Sequence, residues 1–184
     1  MTTLPATPAT TAHAPETTTM WTTMDSPVGE LRIIAGPQVD GQLAILAIEF
    51  SPFRGLADGR PIGERRDDAP LLRGAVEQLT AYFARERRDF DLPLAPVGSE
   101  FQRRVWDQLL AIEYGETASY GEIARRLGKS NAASRAVGLA NGRNPIPIVI
   151  PCHRVIGANG SLTGYAGGME RKQVLLELEQ HALF

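Results

Sequence analysis

The sequence predicts an α/β (α+β) chain: a small N-terminal domain with a β-sheet and a helix, then a mainly helical C-terminal domain containing a helix-turn-helix. Three observations predict it. Two apolar, β-branched runs, Leu31–Ile34 and Leu43–Phe50, flank a segment holding two glycines and Pro37, the pattern of a strand pair. Leu72, Val76, Leu79 and Phe83 recur at helical spacing. Beyond residue 99, two short helical stretches stand on either side of a glycine-containing turn.

The bulk numbers bound the problem. With 184 residues, 43% of them hydrophobic and 22% charged, the chain can bury a core without disulfide or metal staples. No run of about 18 apolar residues offers a membrane span, and the N-terminus lacks the apolar core of a secretory signal. Cys152 is the one cysteine, so an intramolecular disulfide and a cysteine-clustered zinc site are excluded. A reducing cytoplasm suits that usage. The net charge of -2 argues weakly against a nucleic-acid partner, but the charge is unevenly spread. Residues 1–99 hold 9 Lys/Arg against 13 Asp/Glu, whereas residues 100–184 hold 10 against 8. Within 118–154, Arg125, Arg126, Lys129, Arg135, Arg143 and Arg154 face only Glu122. Such a patch fits phosphate contact; a solvated helix face explains it equally well.

Residues 1–20 form a Thr-, Ala- and Pro-rich tail, expected to be disordered. The N-terminal domain spans 21–92, with the strand pair first and a surface loop over 51–68. Pro70 can open a helix, whose apolar stripe runs to Phe83. Residues 93–98, between Pro93 and Gly98, are expected as the linker. The C-terminal domain spans 99–184. Phe101, Val105, Leu109 and Ile112 share a helical face that Gly115 stops. Ser119-x-x-Glu122 is a capping box and Gly128 a helix end. A second short helix over 131–140 stops at Asn141-Gly142. Pro145 to Pro151 alternates proline with β-branched residues and is expected to be extended. A last helix over 169–181 turns Val174, Leu175 and Leu178 inward.

A lone cysteine is more often a small buried hydrophobe than a nucleophile. Three features set Cys152 apart. His153 and Arg154 beside it can lower a thiol pKa, the prolines before it restrict the backbone, and it follows the helix-turn-helix directly. Neighbouring side chains diverge in an extended strand, so His153 helps only if the chain turns there or a water intervenes. Gly157 and Asn159-Gly160 make a turn nearby reasonable.

The run Pro151-Cys152-His153-Arg154-Val155 resembles the active-site motif of the O6-alkylguanine-DNA alkyltransferases, or methylated-DNA–protein-cysteine methyltransferases. So do Phe101-Gln102 with Val105-Trp106, Ser119-Tyr120-Gly121-Glu122-Ile123-Ala124 and Arg135-Ala136-Val137-Gly138. Ala140-Asn141-Gly142-Arg143-Asn144-Pro145 and Leu162-Thr163-Gly164-Tyr165 with Gly167-Gly168 extend the match over about 99–180; Ser26-Pro27-Val28-Gly29 is a weaker likeness upstream. The resemblance implies direct repair of O6-alkylguanine in double-stranded DNA after base flipping, with activity on O4-alkylthymine left open. It implies one irreversible turnover, no cofactor and no metal. Cys152 would be nucleophile and acceptor, His153 the base through a water, and Glu179 the carboxylate orienting His153. Tyr120 would help rotate the phosphate and protonate the leaving group, and Asn144 would be the hinge before the active-site strand. Arg135 would fill the gap left by the flipped nucleotide. Arg125, Arg126, Lys129 and Arg143 would contact DNA, with Ala136 and Gly138 small enough for close approach in the minor groove. Tyr165, Ala166, Gly167 and Val155 would line the base pocket; Ala166 stands where some members carry serine.

The implied protein is a cytoplasmic monomer, nucleoid-associated when bound, with cooperative assembly on DNA left open. Three rivals compete: an alkyltransferase-like lesion binder, which would lack the cysteine; a helix-turn-helix regulator, which would not need Glu179; and a Cys-His-Glu hydrolase, which would turn over.

Overall fold

The structure, a computed structural model, describes residues 18–180; most of the tail expected over 1–20 lies outside the described residues. Strands β1 (Met20–Met24), β2 (Leu31–Pro37), β3 (Leu43–Phe50) and β4 (Glu64–Arg65) form one sheet in the order β3-β2-β1-β4. The expected pair is β2 and β3, antiparallel, with Ile33 opposite Ile48. β1 carries no apolar run and owes its conformation to pairing along β2. The loop expected over 51–68 contributes β4, parallel to β1.

Helix α1 (Pro70–Phe83) begins with proline at its first position, where no hydrogen bond is lost. Its buried face is Leu72, Ala75, Leu79 and Tyr82. Val76 and Phe83 are only partly buried, so the face is rotated from the expected stripe toward Tyr82. Residues 93–98 are not a free linker. Pro93 accepts from Ile45 N at 2.8 Å and Ala95 N donates to Ile45 O at 2.9 Å, so the segment covers the outer edge of β3.

Ser99 and Gln102 form a capping box at the start of α2 (Glu100–Leu110), which buries Val105, Trp106 and Leu109. The helix ends at Ala111; Gly115, at φ 80°, belongs to the turn beyond. After the short strand β5 (Ala118–Ser119), α3 (Tyr120–Arg126) starts on the Ser119–Glu122 capping box read from the sequence. A 3₁₀ turn over Asn131–Ala133 then leads into α4 (Ser134–Gly142), so the second helix proper starts three residues later than expected. α4 packs on both α2 and α3, and Trp106 Nε1 donates to Ala140 O at 2.9 Å.

The stretch before Cys152 is not a straight strand. Ile148 sits at φ 75°, and Ile150 N donates to Ile146 O at 2.9 Å. Asn144 holds this loop shut by donating from Nδ2 to Ile150 O at 2.8 Å and accepting from Ile146 N at 3.0 Å. A β-branched residue in that backbone region is strained by about 1–3 kcal/mol, and the complete burial of Ile148 helps to offset it. Cys152–Arg154 then makes a 3₁₀ turn, followed by β6 (Val155–Ile156), parallel to β5. Helix α5 (Met169–Gln180) buries Lys172, Leu175, Leu176 and Glu179. Val174, expected inward, is exposed, and Leu178 is partly buried. One hydrophobic cluster runs from β2 through α1 and α2 to Leu175.

Candidate active site

The turn that His153 needed lies on Cys152 itself. The 3₁₀ turn seats the thiol, 4% exposed, and the imidazole, fully buried, on the core. Burial pushes the thiol up to about 11, with Asn144, Lys172 and Tyr165 pulling the other way. The sequence suggested that His153 and Arg154 would lower it; they are committed elsewhere. Burial holds His153 below its ordinary value, so the ring is neutral at pH 7. Arg154 turns to Glu179 and to the Ile112 carbonyl. It is therefore removed from the basic patch that the sequence outlined.

Glu179 is 1% exposed and gathers donors from four residues. His153 Nε2 lies 2.8 Å and Tyr82 Oη 2.7 Å from Oε1. Arg154 Nε donates to Oε2 at 2.9 Å and Nη2 to Oε1 at 3.0 Å, and Gly115 N donates to Oε2 at 3.2 Å. Burial raises this carboxyl, but His153 and Arg154 overcome it and hold it at about 2. An ionised carboxylate only accepts, so the neutral ring carries its proton on Nε2. Nδ1 is left as the acceptor, buried and without a hydrogen-bond partner among the described residues.

The sequence reading missed Tyr82, a polar aromatic on the buried face of α1 whose hydroxyl needs a buried partner. It also missed Lys172, whose fully buried ammonium donates to Val155 O at 2.6 Å and Thr163 O at 2.8 Å. A lysine one turn before Leu175 and Leu176, on the face that also carries Glu179, was the signal. Tyr120 Oη donates to the same Thr163 carbonyl at 3.1 Å, which ties the loop before α5 to α3.

A cavity of about 320 Å³ contains Cys152, Asn141, Asn144, Tyr165, Ala166 and Arg171 in its wall, with the end of β3 opposite. Tyr165 meets Phe50 edge-on at 6.1 Å. Gly167 permits this approach, since a Cβ there would lie 2.6 Å from the Tyr165 ring and 2.8 Å from that of Phe50. A second, open groove is lined by Tyr120, Arg135, Gly138, Leu139, Thr163 and Tyr165, and shares Gly142, Tyr165 and Ala166 with the cavity. Val155 lines neither; it is fully buried.

Arg135 and Ala136 are exposed in the first turn of α4. Gly138 faces Tyr120, where a Cβ would lie 3.6 Å from the ring. Arg126 and Arg143 are exposed. Arg125 donates to Asn131 Oδ1 at 3.0 Å, and Lys129 lies over Phe101 at 5.9 Å.

Two family models match the chain: "6-O-methylguanine DNA methyltransferase, ribonuclease-like domain" over residues 19–96, and the DNA binding domain of the same family over 100–181. A methylated-DNA–protein-cysteine methyltransferase of Mycobacterium tuberculosis is 51% identical over 158 residues, covering 86% of this chain and 90% of its own length. One from Methanosarcina acetivorans is 59% identical over 113 residues, covering 61% and 72%. Among solved structures, the M. tuberculosis O6-methylguanine methyltransferase superposes with a TM-score of 0.78 at 46% identity, over 90% of this chain and 95% of that one. The same TM-score, at 47% identity, relates this chain to M. tuberculosis OGT in complex with DNA, over 89% and 94%.

Proposed function

The chain belongs to the 6-O-methylguanine DNA methyltransferase family, and on that premise we propose that Cys152 is the acceptor of an alkyl group taken from O6-alkylguanine in double-stranded DNA. The family repairs DNA by direct alkyl transfer to a protein cysteine, and Cys152 is the single cysteine of this chain. One observation carries the assignment. Cys152 opens into the cavity while the adjacent His153, with a free Nδ1, rests on a buried Glu179.

A flipped guanine enters the cavity between the end of β3 and the loop at Tyr165, Ala166 and Gly167. Extrusion costs a few kcal/mol, and Arg135, projecting from α4, occupies the vacated stack. Ala136 and Gly138 let α4 approach the duplex, and Arg125, Arg126, Lys129 and Arg143 contact phosphates. Asn144 is the hinge that links α4 to the Cys152 turn.

The thiol sits near pKa 11, so it rests protonated and must lose its proton as it attacks. His153 Nδ1 takes that proton through a bridging water, and Glu179 stabilises the resulting imidazolium. The S–C bond forms as the C–O6 bond breaks. The guanine leaves with the electron pair, and Tyr120 supplies a hydrogen bond or proton to it. The thioether product offers no carbonyl for water to attack, so each chain acts once, as a cytoplasmic monomer and without cofactor.

The test is intact-protein and peptide mass spectrometry after incubation with duplex DNA containing O6-methylguanine. One methyl group per chain, on Cys152, is expected, and none in Cys152→Ser, which still binds DNA. Repeated turnover, or methylation of another residue, would sink the reading.

A further inference from the structure

Leu139 is a large apolar side chain left 63% exposed on helix α4, and none of the roles above uses it. Single exposed apolar residues are ordinary on a surface; the position of this one is not. At about 100° per residue, Val137, Ala140 and Asn141 fall on the inner side of α4, where they are buried. Arg135, Gly138, Leu139 and Gly142 fall on the opposite side and line the open groove that adjoins the Cys152 cavity. Leu139 follows Arg135 by one turn on that side and takes no part in the wall of the Cys152 cavity itself. The outer side offers little for reading base edges. Ser134 donates its hydroxyl to Asn131 O at 2.6 Å, and Asn141 is buried. What remains there is one cation and one apolar side chain set between two glycines.

We propose that Leu139 is a wedge for the DNA duplex: it enters the minor groove beside Arg135 and partly unstacks a base step next to the extruded nucleotide. The inference rests on α4 facing the duplex, as proposed above. Apolar wedges inserted from the minor groove loosen stacking and bend the duplex toward the major groove. With no side chain on Gly138 or Gly142, Leu139 stands proud of its neighbours and can reach the stack. One helical turn separates it from Arg135, about 6 Å along the axis. The duplex rises about 3.4 Å per base pair, so the two side chains meet the stack within about two steps of one another. Arg135 then fills the place of the lost base, and Leu139 lowers the cost of losing it by opening a neighbouring step. Insertion also covers apolar surface that is otherwise left in water.

The test uses the full chain and an O6-methylguanine duplex carrying a fluorophore at each end, whose energy transfer reads the bend. The wild type is compared with Leu139→Ala, Leu139→Met and Leu139→Asn. Leu139→Ala should weaken binding by about tenfold, the scale of one buried leucine, and straighten the bound duplex. Leu139→Asn should behave like the alanine variant, and Leu139→Met should keep most of the bend, because apolarity and not size alone drives insertion. Benzyl transfer from free O6-benzylguanine should be unchanged in all three, since a free base involves no duplex. A straight duplex in the wild-type complex overturns the proposal. So does a bend that survives in Leu139→Ala or Leu139→Asn, whatever the affinity does. A loss on free O6-benzylguanine as large as that on the duplex also overturns it, by making Leu139 a pocket or folding residue. If wild-type Cys152 takes no methyl group from the duplex, the transfer reading fails by itself, and affinity and bend still decide the wedge.

Discussion

At the scale of single residues, the proposed acid–base arrangement of Cys152, His153 and Glu179 is buried in the core. His153 is kept neutral by burial, below its ordinary 6.5, and Glu179 is kept charged at about 2, below its ordinary 4.5. Both folded values are depressed, so in both cases the unfolded chain takes up the proton first. Stability should therefore decline as pH falls below about 6.5, where unfolded His153 protonates. It should decline further between about 4.5 and 2, as Glu179 is neutralised. Denaturant titrations across this range are expected to show both steps, and His153→Gln should remove the first. The same variant deletes the proposed base. Transfer should slow by about 10²–10⁴-fold, and the acid limb of its pH–rate profile should vanish. A retained limb would assign it to another group. Glu179→Gln leaves Arg154 buried and unpaired, at a cost of about 3–5 kcal/mol, read as a lower denaturation midpoint.

At the scale of elements, α3 and α4 lie within the stretch matched by the family's DNA binding domain, and Arg135 is exposed where α4 begins. The role proposed for it, filling the vacated stack, gives a prediction with an internal control. Arg135→Ala should slow repair of O6-methylguanine in duplex DNA by about tenfold or more, a share of the flipping cost. Reaction with free O6-benzylguanine should be nearly unchanged, since nothing is flipped. Equal losses on both substrates would point to a pocket or folding defect. Four exposed cations, Arg125, Arg126, Lys129 and Arg143, are the proposed phosphate contacts. Their neutralisation should give a log K against log salt slope of about -3 to -4, measured by fluorescence anisotropy with a duplex of arbitrary sequence. Arg154 does not add to it, being consumed by Glu179.

At the scale of the whole molecule, the N-terminal half enters the active-site network directly. Tyr82 on α1 donates to Glu179, 97 positions away. Arg171 on α5 donates to Val28 O, Ser51 O and Gly167 O, joining two turns around the sheet to the pocket loop. The N-terminal residues thus do more than support the rest. Tyr82→Phe keeps the packing but removes one donor from Glu179. It should destabilise the chain by about 0.5–1.5 kcal/mol and slow transfer severalfold, while DNA affinity stays the same. A stability loss with an unchanged transfer rate would confine Tyr82 to packing.

The sequence by itself determined what is local. The β2–β3 pair follows from two apolar runs across a turn, α1 from its proline start, and α2 and α3 from their capping residues. Motif order along the second half pointed to the family, and so to Cys152, His153 and Glu179 together. The tertiary structure decided what depends on contacts distant in sequence. β1 exists because β2 offers it an edge, and residues 93–98 lie on β3 because Ile45 needs backbone partners. The run before Cys152 reads as extended, yet the Asn144 amide closes it into a loop and the chain turns at the cysteine. Glu179 looks like any carboxylate near the end of a helix, and only folding surrounds it with Tyr82, Gly115, His153 and Arg154. Burial likewise reverses the thiol's expected shift, because sequence places His153 and Arg154 beside it in the chain, whereas exclusion from water and the partners those side chains reach are set by the whole fold.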